Sequence, residues 1–212
     1  MTLGAFFLPI EEVLAIFVPV NVLLSAWLVA RNHAAIDTTL LLRRVFPLMG
    51  AGMVAGLALF HLRDEGWIKG VFGLFVVALS ALELSRGAAP PAAPFVRTVA
   101  VFAAGIVHGL FACGGPLLVW VTGRELPDKG RFRATLSAVW LVLGLVLVSN
   151  YAVAGTLTVT TLSRSAVLLP ALAIALWAGE QVHHRIDPGT FRRAVFVLLL
   201  LAGGALAARA LG

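Results

Sequence analysis

Charge is scarce in this chain. Of its 212 residues only 12% are Asp, Glu, Lys or Arg, whereas 60% are hydrophobic. Soluble domains carry about 25% charged residues, so a water-facing surface is excluded for most of the molecule. Cysteine is scarcer still. The single one, Cys113, excludes an internal disulfide and any redox framework built on one. No G-x-x-x-x-G-K-[ST] loop occurs, so the chain has no ATP drive of its own. No carboxylate pair or nucleophile–base set stands out, which argues against an enzyme and calls for no cofactor. Alternating strands of about ten residues, the mark of a transmembrane barrel, are missing too. Nor does a basic region precede the first apolar run, where Glu11 and Glu12 stand instead, so no cleaved signal peptide is predicted.

What the chain has is a succession of apolar runs near twenty residues and a mean hydropathy of +1.00. Runs of that length fit helices that cross a bilayer. The pattern predicts an all-α polytopic membrane protein of about seven transmembrane helices, at 13–30, 45–62, 67–85, 96–113, 135–153, 165–182 and 191–208. Arg31 and Trp67 fit interfacial anchors. The net charge of +6 would suggest nucleic acid in a soluble protein. Here the cations fall mostly in short loops, where they orient helices and meet anionic headgroups, so the lipid bilayer is the partner and nucleic acid is not. Counting Lys and Arg by alternate loops gives nine on one side (two, four and three) and seven on the other. That margin leaves the orientation open.

The chain reads as two related halves. Residues 1–85 form a first repeat of three spans, 86–94 ("RGAAPPAAP") a stiff Pro-rich connector, and 95–212 a second repeat of four spans. Leu8-Pro9 matches Leu126-Pro127, and Lys69, Val71, Phe72, Ala78 and Leu82 match Arg193, Val195, Phe196, Ala202 and Leu206. Internal repeats are the common plan of transporter folds. The first half lacks a counterpart of span 96–113. With four spans per unit the repeats would be parallel.

The stretch "GIVHGLFACGGPLLV", 105–119, is the most unusual in the chain. Gly114 and Gly115 remove side chains, and Pro116 removes a backbone donor and clashes with the preceding turn. A helix break is therefore predicted near membrane depth. Broken backbone cannot face lipid, so it must be buried in protein or line a wet cavity. The short apolar piece after Pro116 suits a half-helix or re-entrant segment. A half-helix N-terminus offers free N–H groups, those of Leu117 and Leu118 here, and the positive end of a dipole, which suits an anion. The plainer reading is a Gly/Pro kink that helps packing. His108 precedes the break by about one and a half turns, and a mid-span histidine is a functional candidate. It could tie flux to protons or only bond a neighbouring helix. Cys113 either faces the anion or fills space.

These residues carry a resemblance. The order "GxxxGLFxxGGP", "LPxxxxxRATLSAVW", "PVNVLLSAW" with "RNHAAID", and "FRRAVFVLLLLAGG" resembles the sulfite exporter TauE/SafE family over nearly the whole chain. The resemblance implies a multi-pass permease of the cell inner membrane that moves a small anion such as sulfite or an organosulfonate. It leaves proton or ion coupling and a homo-oligomer open. The candidate substrate-binding residues are His108, Cys113, Gly114, Gly115, Pro116 and Leu117, with Asn21 mid-span after Pro19 and its approximate counterpart Ser137. Asn21 serves either packing or the site, and Ser137 with Thr135 reads first as helix glue. Ser149, Asn150 and Tyr151 read as interfacial. Glu83 and Glu180 lie near span ends, within snorkelling reach, and His61, His183 and His184 read as solvated. Gly52 and Gly56 form a small-xxx-small pair for close helix packing. Two alternatives remain. One is an intramembrane metal-handling or redox protein using His108 and Cys113, which are too few and too badly spaced for a closed site. The other is a non-transporting scaffold or sensor subunit.

Overall fold

The structure is a computed structural model. It describes residues 9–60, 65–85, 93–112, 114–126, 128–185 and 188–211. The expectations for Cys113, His61 and connector residues 86–92 lie outside these residues, as do the side chains of Trp67, Glu83, Glu180, His183 and His184.

Every regular element among the described residues is helical. In chain order they are α1 (Ile10–Asn32), α2 (Thr38–Leu40), α3 (Phe46–Phe60), α4 (Glu65–Ser85), α5 (Pro94–Phe111), α6 (Gly115–Glu125), α7 (Lys129–Val153), α8 (Val159–Arg185) and α9 (Pro188–Leu211). A 3-10 turn, His33–Ala35, follows α1, and a π turn, Leu41–Val45, joins α2 to α3. Among the described residues five helical segments are long and apolar enough to cross a membrane: Glu11–Ala35, Thr38–Leu59, Pro94–Phe111, Lys129–Val153 and Val159–Ala178. Shorter apolar stretches lie in α4 and α9. All seven predicted spans coincide with helices, and α6 is the additional short piece after the break.

Local chemistry sets the helix ends. Glu11 and Glu12 stand in the first turn of α1 and Arg31 in its last, each matched to the partial charge of that end. The Arg31 guanidinium lies over the Trp27 ring, 5.0 Å from its centre. α7 starts six residues before the predicted span because Asp128 caps it, accepting from the Arg131 N–H at 2.7 Å. Asp37 caps α2 in the same way, accepting from the Leu40 N–H at 2.9 Å. At the start of α8, Thr158 and Thr161 bond each other's backbone N–H, at 2.8 and 3.2 Å.

The chain forms two compact units. One comprises Leu3–Phe60 and Pro91–Leu172, the other His61–Pro90 and Ala173–Gly212. Each unit draws residues from both sides of the Pro-rich connector. In the second unit α4 packs on α9 with glycine against glycine: a Cβ on Gly73 would meet the Gly203 carbonyl oxygen at 2.9 Å, and one on Gly203 would meet that of Gly73 at 3.0 Å.

The first unit is held by a reciprocal version of the same device. α3 and α5 run parallel. A Cβ on Gly52 or Gly56 would meet the Phe102 or Ile106 carbonyl oxygen at 2.1 or 2.3 Å. In return, a Cβ on Gly105 or Gly109 would meet the Met49 or Met53 oxygen at 2.2 or 2.4 Å. The predicted pair Gly52–Gly56 is thus one half of an interlock whose other half is Gly105–Gly109. Backbones in such contact gain dispersion and Cα–H···O interactions, which matter where lipid removes the hydrophobic drive between helices. α1 lies antiparallel to α7 in the same unit, with Gly144 pressed on the Val22 side chain.

Gly105→Ala is expected to lower stability by about 1–3 kcal/mol, the usual range for overpacking. Gly50→Ala is the control. Nothing lies within 4 Å of its added methyl, and alanine is the better helix former by about 1 kcal/mol. Thermal unfolding of the two variants in one detergent should move in opposite directions.

Candidate transport site

The helix break occurs where the sequence places it. α5 ends at Phe111, and Ala112 follows in the left-handed conformation (φ 50°, ψ 28°) while its N–H donates to the His108 carbonyl at 2.7 Å. α6 opens at Gly115 with Pro116 in its first turn, where a missing N–H costs nothing. The chain then doubles back. Arg97, in the first turn of α5, donates to Glu125 Oε1 at the end of α6 at 2.6 Å. Had α6 continued in the direction of α5, whose 18 residues rise about 27 Å, these two could not meet.

Gly114 makes the reversal feasible. Its φ is −70°, which any residue adopts, so conformation is not what calls for glycine. Space is. A Cβ there would meet the Ala104 carbonyl oxygen at 2.2 Å and His108 Cβ at 3.0 Å. Gly115 differs, since its nearest neighbour would be Trp140 Cζ2 at 3.8 Å, an ordinary contact.

A cavity of about 360 Å³ lies beside the break, within the first unit. Its walls are Phe17, Val18 and Asn21 of α1, His108 at the end of α5 with Ala112, Gly115 and Val119 of α6, and Trp140, Gly144 and Leu147 of α7. Pro19, inside α1, leaves the Ala15 carbonyl without its usual donor at this level. His108 is 2% exposed. Its ring stacks on Trp140 with centroids 5.4 Å apart and planes at 28°. Neither ring nitrogen has a hydrogen-bond partner among the described residues. Buried polar atoms are usually paired, so this ring holds an unused donor and an unused acceptor beside a helix N-terminus.

Of the residues singled out from the sequence, the structure gathers His108, Asn21 and Gly115 around this cavity. Gly114 is buried in the turn, and Pro116 and Leu117 form the first turn of α6 without lining the space. The Leu118 N–H is not open as expected: it donates to the Gly114 carbonyl at 3.3 Å, because the helix already closes its first bond there. Gly115 and Leu117 carry the N–H groups of the open first turn. Ser137 is buried on α7, donates to the Arg133 carbonyl at 2.8 Å and lies off the lining. Its neighbour Thr135 does join segments, accepting from the Asp37 N–H at 3.0 Å. Trp140, Gly144 and Leu147 carried no role in the sequence reading. Their i, i+4, i+7 spacing on one helical stripe was the available signal. Among the described residues no three His, Cys, Asp or Glu side chains gather as metal ligands would.

A polytopic helical protein with an interrupted helix opening on a cavity between its helices has the build of a membrane permease. The chain belongs to the sulfite exporter TauE/SafE family, whose model matches residues 1–206. It is also similar to a protein of Comamonas testosteroni named "Probable inner membrane transporter protein TsaS", with 27% identity over 162 residues, covering 75% of this chain and 68% of the relative. No solved structure matches. The family is one of membrane transporters rather than enzymes, and the chain is a multi-pass protein of the inner membrane.

Gly114 and Gly115 separate folding from site shape. Gly114→Ala is expected to cost about 1–3 kcal/mol and to lower the yield of monodisperse protein on size-exclusion chromatography. Gly115→Ala should elute and unfold as the parent does, since its methyl meets only ordinary contacts.

Proposed function

We propose that the chain is a secondary permease for a small sulfur-containing anion, bound where α6 opens on the cavity. One observation carries the reading: His108, buried and unpartnered among the described residues, shares its cavity with the positive end of a half-helix. Three kinds of donor belong to its lining residues. The Gly115 N–H supplies the helix terminus, Asn21 an amide, and His108 one ring N–H in whichever tautomer it adopts. No Lys or Arg is among the described lining residues. Dipoles without a fixed cation hold an anion loosely enough to let it leave, which transport requires.

The lining also bears on which anion. Phe17, Val18, Val119, Trp140 and Leu147 are apolar or aromatic, and a bare sulfite would leave them nothing to contact. An organosulfonate puts its charged group on the donors and its carbon body on these walls, the usual division of labour in a ligand pocket. This favours the organosulfonate over sulfite.

A thermal-shift series on purified protein tests the proposal with sulfite, sulfate, methanesulfonate and benzenesulfonate. A ligand that binds only the folded state stabilises it by about 2.7 kcal/mol at a hundred times Kd. Benzenesulfonate is expected to raise the unfolding temperature most. His108→Phe should remain folded, because replacing an unpaired buried polar group by an apolar ring of similar shape is neutral or stabilising. It should lose most of the ligand-induced shift, and His108→Gln should keep part of it. An equal shift in parent and His108→Phe would remove the histidine from the site. No shift with any of the four anions would overturn the reading.

A further inference from the structure

The ion pairs of the first compact unit sort its helix ends into two groups. Arg44, in the π turn that leads into α3, donates to Glu125 Oε1 at 2.7 Å, the same oxygen that accepts from Arg97 at 2.6 Å. Arg131, at the start of α7, donates to Asp37 Oδ2 at 3.0 Å, just past the end of α1. The starts of α3, α5 and α7 therefore share one end of the unit with the ends of α1 and α6. At the other end Glu12, at the start of α1, pairs with Arg164, at the start of α8.

Charge follows the same division. The unit contains nine Lys and Arg. Eight of them lie toward the first end: Arg31, Arg43 and Arg44, then Arg97 on α5, then Arg124 at the end of α6 and the three in the opening turns of α7. Only Arg164 lies toward the second, with Glu11 and Glu12. The near-even distribution found by alternating every apolar run came from treating residues 96–113 as a full crossing. If α6 continued onward from α5, Arg124 and the α7 cations would sit opposite Arg31, Arg43, Arg44 and Arg97, and the unit would split four against five. Because α6 turns back, the split becomes eight against one. Short loops rich in Lys and Arg stay on the cytoplasmic side of a bacterial membrane, where the leaflet is anionic.

We infer that α5 and α6 form a re-entrant hairpin that makes no net crossing, and that the end bearing Arg44, Arg97 and Arg131 faces the cytoplasm against anionic headgroups. The Glu12–Arg164 end then faces outward. The hairpin hangs from the cytoplasmic side, and the opening of α6 lies within the bilayer. This placement does not rest on the identity of the transported anion.

Single cysteines introduced into the full chain test it, with the parent protein measured alongside to subtract labelling of Cys113. Phe95→Cys, Lys129→Cys and Val159→Cys are at exposed positions (77% for Phe95 and 86% for Val159). A membrane-impermeant maleimide applied to spheroplasts is expected to label Val159→Cys at once. It should reach Phe95→Cys and Lys129→Cys only after detergent permeabilisation. Phe95→Cys and Lys129→Cys reporting opposite sides would overturn the hairpin. Both labelling in intact spheroplasts, with Val159→Cys protected, would overturn the orientation. Should a cysteine variant fail to accumulate, alkaline phosphatase, active only outside the cytoplasm, can be fused after Gly130 or after Thr156. It is expected to be inactive at the first and active at the second, and the reverse pattern overturns the proposal.

Discussion

Lipid offers a broken helix no hydrogen bonds, and the first compact unit is arranged around that constraint. A chain that stops being helical at Ala112 and resumes at Gly115 exposes backbone groups that would each cost several kcal/mol in hydrocarbon. The protein meets this in three ways. The Ala112 N–H returns to the His108 carbonyl, and the Leu118 N–H closes on Gly114. The turn is pressed on α5 so closely that only glycine fits at 114. The first turn of α6 opens on the cavity that Asn21, His108 and Trp140 also line. The feature that most endangers the fold is thus the one that brings polar groups to an otherwise largely apolar pocket.

That pocket depends on the rigidity of its neighbours. α5 cannot hold a stacked histidine in place unless its own position is fixed, and the glycine interlock with α3 fixes it through backbone contacts at Gly52, Gly56, Gly105 and Gly109. Gly105 and Gly109 lie on either side of His108 in sequence, so one short segment packs and serves the cavity at once. α1 and α7 complete the walls. They too meet closely, at Val22 and Gly144, and Gly144 is itself part of the lining.

Much of this was legible in the residues. Apolar run length located seven helices, since reaching across a bilayer takes about twenty apolar residues. Gly114, Gly115 and Pro116 announced the break because no continuous helix tolerates that triplet readily. Other features were hidden for definable reasons. Nothing in "GPLLVWVTGRE" states in which direction the new helix runs. That is settled by Arg44 and Arg97 meeting Glu125, contacts distant in sequence. Trp140 was hidden because an aromatic residue in an apolar span resembles any core residue until its neighbours are known. Ser137 was conspicuous for the opposite reason: a hydroxyl at membrane depth invites a role, yet here it only bonds its own helix at Arg133.

The doubling back of α6 also bears on how the chain enters the bilayer. From the break through the opening turns of α7 stand Arg124, Lys129, Arg131 and Arg133. Carrying a cation through the centre of a bilayer costs roughly 2.5–3.5 kcal/mol on insertion scales. A segment that dips in and returns leaves all four on the side where they started. The insertion machinery therefore has no basic loop to translocate at this point.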